Sequence, residues 1–315
     1  MHITLKYFIK TAHRFGVAML VAAILISCGA KKKETQSGRM NIVTTTGMIK
    51  DAVEHVVGDK GDVIALMGPG VDPHLYKATQ GDLGKLTGAD IVFYNGLHLE
   101  GKMGEVLEKL GHSKPVIAVS DAIPEDLLRV APGFQGAHDP HIWFNVELWE
   151  HAVTAVLEFM LKHDPDNASY YQSNAKKYQA QMDSLHQQVK QAILEIPEKQ
   201  RVLITAHDAF GYFGDAYGIE VRGLQGISTV SDFGLKDVTD LVDFIIERQI
   251  KAIFVETSVS QKSINAVVEG CQQKGWDVKI GGSLFSDAMG ATGTPEGNYL
   301  GMVSANVQTI VNALK

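Results

Sequence analysis

Residues 166–195, DNASYYQSNAKKYQAQMDSLHQQVKQAILE, contain neither glycine nor proline and separate two halves of the chain with the same strand–helix pattern. The larger apolar side chains recur at steps of three, four or seven residues, as on one face of a helix. They are Tyr171, Tyr178, Met182, Leu185, Val189, Ile193 and Ile196. The pattern predicts one long helix that begins near Asp164-Pro165-Asp166 and ends before Pro197. A helix of this length covers about 45 Å, so it is expected to run along both halves; one arm of a helical hairpin is the alternative.

Short β-branched runs lie on both sides of this helix and alternate with amphipathic stretches. Four precede it, at 42–44, 62–66, 91–94 and 116–119, and three follow it, at 201–205, 252–255 and 277–280. Such alternation is typical of parallel sheets covered by helices. We therefore predict an α/β fold of two parallel-sheet lobes, (βα)4-like, joined by one long rigid helix. The predicted boundaries are 41–163 for the first lobe, 164–197 for the linking helix and 198–315 for the second lobe.

The N-terminal residues have the pattern of an export signal. Lys6, Lys10 and Arg14 precede an apolar run at 17–26, which is about ten residues long and too short to span a bilayer. Residues 1–27 are therefore predicted to be a signal peptide. Residues 25–28, Leu-Ile-Ser-Cys, resemble the bacterial lipobox, which implies lipid attachment at Cys28; a chance cysteine beside an ordinary cleavage site is the alternative. Residues 28–40 are predicted to be a lipidated N-terminus and a flexible polar tether.

Charge and cysteine content narrow the class of protein. Removal of the signal peptide takes three positive charges and no negative ones from a chain of formal net charge -7. A protein this acidic is a poor candidate for binding nucleic acid. Cys271 is the cysteine that remains after Cys28, so the mature chain has no internal disulfide and depends on packing for stability.

Four irregular segments contain potential metal ligands, and three of these follow soon after a predicted parallel strand. Two of the segments repeat Asp-Pro-His, at 72–74 and 139–141, and the others contain His207 and Asp287. Proline restricts its own backbone and that of the preceding residue, so each imidazole is expected to be held rigidly. Ligands bind at the carboxyl edge of open α/β sheets. A site between the lobes, formed by His74, His141, His207 and Asp287, is therefore favoured over exposed turn histidines.

Three imidazoles and one carboxylate suit Zn²⁺ and are workable for Mn²⁺ or Fe²⁺. Because imidazoles must be neutral to bind a metal, affinity is expected to fall in acid.

At these residues the chain resembles the zinc/manganese solute-binding lipoproteins of ABC importers, with the TroA-like subgroup nearest. The resemblance extends over the chain after the tether and includes segments 71–76, 139–144, 205–213, 223–226 and 284–290. It implies two α/β lobes bridged by a long helix, and His74, His141, His207 and Asp287 as ligands in the cleft. Manganese-specialised members tend to have Glu at the position of His207, which favours zinc. Zinc-specialised members often have a His-rich loop near 133–137, and this chain lacks one. Zinc and manganese therefore both remain candidates for the bound ion.

Two roles are possible for each of two further residues, His138 and Glu256. His138 is either a transient or supporting ligand or a surface loop residue, and Glu256 either accepts a proton from a ligating imidazole or is an ordinary solvated carboxylate. Asp208 is expected to cap a helix at 209–217. The other histidines, among them His98 and His112, are expected to be structural or solvated.

The sequence thus predicts an exported, lipid-anchored protein in the cell envelope that is not an enzyme. It is expected to capture Zn²⁺ or Mn²⁺ as cargo and to act as a monomer with an ABC permease and its ATPase subunit. The alternatives are a secreted zinc metallohydrolase, a binding protein for an organic solute, and a surface adhesin with incidental metal binding. The chain has no H-E-x-x-H and no G-x-S-x-G motif, which argues against hydrolysis.

Overall fold

The computed structural model describes residues 38–131 and 136–315. The predicted signal peptide, Cys28 and most of the predicted tether lie outside these residues. Residues Met40–Lys315 form one compact unit. Across the described residues, no helix has the length and apolar character that a membrane crossing requires.

The first half of the unit is built on a four-stranded parallel sheet of order β2-β1-β3-β4. Its strands are β1 (Met40–Thr44), β2 (Gly61–Ala65), β3 (Ile91–Tyr94) and β4 (Val116–Ala118). The helices that connect them are α1 (Gly47–Val57), α2 (Gln80–Gly88) and α3 (Gly104–Gly111). Each strand is thus joined to the next by a helix, which is the connection that parallel strands need.

The second half repeats this pattern with two parallel pairs, β5–β6 and β7–β8, in which β5 and β7 lie in contact. The strands are β5 (Val202–His207), β6 (Glu220–Gln225), β7 (Ala252–Glu256) and β8 (Lys279–Leu284). Strand β6 was not predicted, because Gly223 interrupts its β-branched pattern. A side chain at 223 would clash with the backbone of His207 and Asp208, since a Cβ there would lie 2.4–2.7 Å from their atoms. The glycine therefore allows β6 to approach the end of β5.

Two long helices lie between the halves, α4 (Val146–His163) and α5 (Ala168–Leu194). Helix α5 is the predicted linking helix, and its 27 residues begin after a short 3-10 turn at Pro165–Asn167. It packs against α1 and α4 and also against the C-terminal helix α9 (Tyr299–Leu314), so it contacts both halves. It also forms a helical hairpin with α4, because only residues 164–167 separate the two. The two interpretations of the sequence are therefore both correct.

Buried aromatic residues anchor α5 on the core. Tyr171 and Tyr178 have 0% and 1% of their surface exposed. The hydroxyl of Tyr178 donates a hydrogen bond to Asp51 of α1, and Asn174 Nδ2 donates one of 3.2 Å to Val56 O. The remaining helices, α6 (Gly211–Tyr217), α7 (Leu235–Glu247) and α8 (Lys262–Gln273), cover the second half. The predicted α/β class with parallel sheets and a long helix is confirmed.

Candidate metal centre

The four side chains predicted as ligands, His74, His141, His207 and Asp287, lie together in the structure. Each offers one nitrogen or oxygen atom, and these atoms are all within 4.8 Å of one another. The relative exposures of the four residues are 4%, 0%, 0% and 1%, in that order. Side chains that are this close and this well shielded from water can surround one small cation.

The sheets place these side chains at their carboxyl edges. His207 is the last residue of β5, and Asp287 follows β8 by three residues. His74 lies in the loop after β2, and His141 directly precedes a 3-10 turn at Ile142–Phe144 that leads into α4. Strands end where their polar loops begin, so residues far apart in sequence meet at one edge.

The spacing of the ligand atoms fits a tetrahedral ion. Nε2 of His74 lies 3.2 Å from Nε2 of His141, which lies 3.5 Å from Oδ1 of Asp287. Nε2 of His207 lies 3.4 Å from Oδ2 of Asp287. Four ligands about 2.0–2.1 Å from a zinc ion are about 3.3–3.4 Å apart. These three distances are close to that edge length, but the two to Asp287 involve different oxygens and the ligand atoms spread over as much as 4.8 Å, so a bound ion would draw them closer together.

Two atoms that face this centre lack hydrogen-bond partners. Nε2 of His207 and Oδ1 of Asp287 are both buried and unpaired. Nearly all buried polar atoms in folded proteins are paired, and an unpaired one costs stability. A bound cation would satisfy both atoms at once, so the donor set fits a metal ion.

Two carboxylates outside the cluster fix the orientation of two of the imidazoles. Asp139 Oδ1 accepts hydrogen bonds from the backbone nitrogen and from Nδ1 of His141, at 2.9 and 2.8 Å. Glu256 accepts the same pair of bonds from His207, at 2.9 Å from its backbone nitrogen and 2.6 Å from Nδ1. Because a carboxylate accepts from Nδ1–H, the unprotonated Nε2 of each ring is left for a metal. Glu256 therefore lies where the sequence suggested; Asp139 was missed, although each Asp-Pro-His motif begins with a carboxylate two residues before its histidine.

These charges control the protonation of the cluster. Burial lowers the pKa of His141, but Asp139 and Asp287 outweigh it and raise the pKa to about 9. Burial likewise opposes the charge on His207, yet Glu256 and Asp287 raise its pKa well above the ordinary value. Burial raises the pKa of Asp287, but His207 and His141 hold it well below the usual range. In the absence of metal, the rings of His141 and His207 are therefore protonated on both nitrogens.

The pKa of His74 is shifted in the opposite direction, because burial outweighs the attraction of Asp287. Burial lowers its pKa to about 3, and the neighbouring His141 and His207 oppose its protonation further. His74 is thus neutral at physiological pH. Its Nε2 can accept a hydrogen bond from Nε2–H of His141 in the absence of a metal, and it can bind a metal without first losing a proton.

Each of the two Asp-Pro-His turns is connected to the second half of the protein, directly from Asp72 and through Arg129 from Asp139. Asp72 Oδ1 accepts from the backbone nitrogen of His74 at 2.8 Å, and its Oδ2 accepts from the hydroxyl of Thr229 at 2.6 Å. Asp139 Oδ2 lies 3.6 Å from Nε of Arg129, which forms an ion pair with Asp215 of α6. The turns that hold His74 and His141 are therefore connected to the half that holds His207 and Asp287. Arg129 lies in an irregular stretch, so no sequence pattern pointed to its role.

The structure also places two other residues for which the sequence suggested roles, Asp208 and His138. Asp208 does not cap the following helix, because α6 begins at Gly211 and Phe210 occupies the N-cap position without a side-chain hydrogen bond. His138 is not a member of the buried cluster. It lines a cavity of about 420 Å³ together with His74 and with His98, which was predicted to be structural or solvated.

The chain is similar in sequence to known metal-binding proteins. The model of the family described as zinc-uptake complex component A periplasmic (ZnuA) matches residues 42–313. The manganese-binding lipoprotein MntA of Bacillus subtilis (strain 168) is 50% identical over 303 residues, which cover 94% of this chain and 99% of MntA. The zinc-binding protein TroA of Treponema pallidum (strain Nichols) is 47% identical over 283 residues, or 90% of this chain and 91% of TroA.

A solved structure gives the same result for the fold. The periplasmic zinc-binding protein TroA from Treponema pallidum superimposes with a TM-score of 0.86 at 48% identity, covering 88% of this chain and 99% of that one. The resemblance stated from the sequence is confirmed.

Proposed function

The chain belongs to the zinc-uptake complex component A periplasmic (ZnuA) family, and from this premise we propose that it captures Zn²⁺ or Mn²⁺ outside the cytoplasm and delivers the ion to the permease of an ABC importer. Proteins of this family are solute-binding components of transporters rather than enzymes. The metal is therefore cargo and not a catalyst. The names of the relatives lend no support to a metallohydrolase or to a binder of organic solutes.

The observation that carries this proposal is the buried group of three imidazoles and one carboxylate with two unpaired ligand atoms. We assign His74, His141, His207 and Asp287 as the metal ligands, with Asp139 and Glu256 orienting two of the rings. An N3O set suits Zn²⁺ best, and it also accepts Mn²⁺ or Fe²⁺. One similar protein is named for manganese and another for zinc, so both ions stay in the proposal.

We assign the cell envelope as the location and Cys28 as the site of lipid attachment. The support is the signal-like segment 1–27, the lipobox-like residues 25–28 and the word lipoprotein in the name of MntA. An anchored monomer of this kind would meet its permease and ATPase partners at the membrane surface.

In the proposed mechanism, the ion draws His207 and Asp287 toward His74 and His141, and the permease recognises the resulting closed state. Two further hydrogen bonds connect the halves near the ligands. Trp143 Nε1 donates to Ser286 O at 2.9 Å, and the hydroxyl of Tyr299 donates to Trp143 O at 2.7 Å. Ser286 adjoins the ligand Asp287, and α5 runs along both halves, so we expect a small movement rather than a wide hinge.

The experiment that tests the function begins with the metal content of the protein purified from its native host. The chelator-stripped protein is then titrated with Zn²⁺ and Mn²⁺ in competition calorimetry. An ion at 100 times its Kd stabilises the folded state by about 2.7 kcal/mol, which is about 5 °C in Tm for a folded unit of this size. If neither ion raises the Tm or displaces the other, the proposal is wrong.

A further inference from the structure

An ion must reach the four buried side chains from solvent, and the cavity beside them touches one of the four. His74 lines this cavity of about 420 Å³, whereas His141, His207 and Asp287 are not among the residues that line it. His74 is also the most exposed of the four, at 4%. The cavity therefore marks a path on which His74 is the first ligand that an incoming ion meets.

His138 lines the same cavity and has an unused metal-binding atom. Its Nδ1 is buried and has no hydrogen-bond partner. The backbone of His138 pairs with Val130 in an isolated antiparallel bridge, which holds the residue in place. A buried nitrogen without a partner is uncommon and indicates a ligand or an ordered water.

His98 also lines the cavity, and its backbone is held in an uncommon conformation. Gly96, Leu97 and His98 have φ angles of 87°, 52° and 63°, in a region that non-glycine residues rarely adopt. The buried carboxylate of Glu100 maintains this turn by accepting hydrogen bonds from the backbone nitrogens of Asn95 and Gly96, at 2.7 and 3.3 Å. Strain that is maintained in this way often accompanies a functional role.

The segments that contain the two histidines are fixed to each other. Asn95 Nδ2 donates a hydrogen bond of 3.0 Å to the carbonyl oxygen of Pro140, which lies between His138 and His141. The two residues, an exposed His98 and a half-buried His138, therefore line one cavity on a shared frame that also includes the ligand His141.

We propose that His98 and His138 form a transfer site that receives the divalent cation from solvent and passes it to His74. This inference rests on the proposed function, since it names the path to the same centre. Imidazole nitrogens bind Zn²⁺ well and Mn²⁺ less strongly. Lys102 lines the cavity too, and its positive charge opposes a cation. The transfer site is therefore weaker than the buried centre, as a site that must release its ion should be.

Stopped-flow mixing of the chelator-stripped protein with Zn²⁺ alone tests this proposal. A site on the path lowers the barrier in both directions and makes no bond in the final complex. H138A and H98A are therefore expected to reduce the association and dissociation rate constants by the same factor of several fold, with an unchanged Kd. H112A, which removes an exposed histidine outside the cavity, is the control and keeps wild-type rates.

Two results would overturn the proposal. Unchanged rates in both variants would show that the ion bypasses the histidines. A weaker Kd at an unchanged association rate would place the residue in the final complex instead. If H138A unfolds, H138Q fills a similar volume and the same comparison applies. Failure of the proposed function is distinct, because the wild-type protein would then bind neither ion at equilibrium.

Discussion

Thr229 and Asp72 face each other from opposite halves of the protein, and the hydroxyl of Thr229 donates a hydrogen bond of 2.6 Å to Oδ2 of Asp72. The other oxygen of Asp72 accepts from the backbone nitrogen of the ligand His74 at 2.8 Å. One carboxylate thus connects a metal-binding turn to a loop of the second half. A movement of the second half toward the first can therefore shift Asp72 and, with it, the turn that holds His74.

Replacing Thr229 with Val removes the hydroxyl and keeps the shape. A hydrogen bond of this kind contributes about 1 kcal/mol net, so we expect metal to dissociate faster and Kd to rise about fivefold. Thr229→Ser retains the donor and should restore wild-type behaviour. Dissociation kinetics with a chromophoric chelator measure the effect. Equal off-rates for Thr229→Val and wild type would mean that the contact plays no part in closure.

Replacing Glu256 with Gln tests how His207 is oriented. A Gln amide nitrogen facing Nδ1 would donate rather than accept, which moves the ring proton to Nε2, where it blocks the metal. Loss of such supporting carboxylates usually weakens metal binding by about 10–100-fold, and we expect the same here. Asp139→Asn should act similarly on His141. The control is Glu247→Gln at the exposed end of α7, and competition titration measures Kd. If Glu256→Gln binds as tightly as this control, Glu256 does not orient His207.

Metal binding should release protons at neutral pH. In the metal-free state the pKa of His141 is raised to about 9 and that of His207 lies well above its ordinary value, so both rings hold protons that a metal displaces. His74, with its pKa lowered to about 3, releases none. Affinity should therefore rise with pH through the neutral range, and the contribution of His141 to this rise should end above about pH 9.

Calorimetry in buffers with different ionisation enthalpies counts the released protons, with up to two expected from His141 and His207. Binding enthalpies that do not depend on the buffer, together with a constant Kd across the neutral range, would contradict this protonation scheme.

Trp143 should report metal binding by its fluorescence. Its ring lies 5.3 Å from that of His141 in an edge-to-face arrangement, and the charge on His141 changes when metal replaces its proton. We expect Trp143→Phe to abolish the emission change on titration with Zn²⁺ and Trp276→Phe to retain it. The first variant also leaves the carbonyl of Ser286 without its donor, so a loss of about 1–3 kcal/mol in unfolding free energy is expected. Loss of the signal in Trp276→Phe would instead locate the reporter in the second half.

The sequence by itself determined the architecture and the identity of the four clustered side chains. Periodicity identified the long helix because Tyr171, Tyr178 and Met182 are spaced for one helix face, and the runs before and after it identified parallel strands. The repeated Asp-Pro-His pointed to His74 and His141 because proline stiffens the backbone locally, and local stiffness is visible in sequence.

The tertiary structure alone decided which groups surround the cluster and how they set its charge. Arg129 and Thr229 act through contacts with residues on other elements, and no local pattern records such contacts. The sequence left two roles open for His138 and predicted that His98 is structural or solvated, and only the fold placed both along one cavity. The sequence also did not show which rings are protonated, because an imidazole side chain has a pKa of about 3 at His74 and of about 9 at His141. Burial and neighbouring charge set these values, and both arise only when the chain has folded.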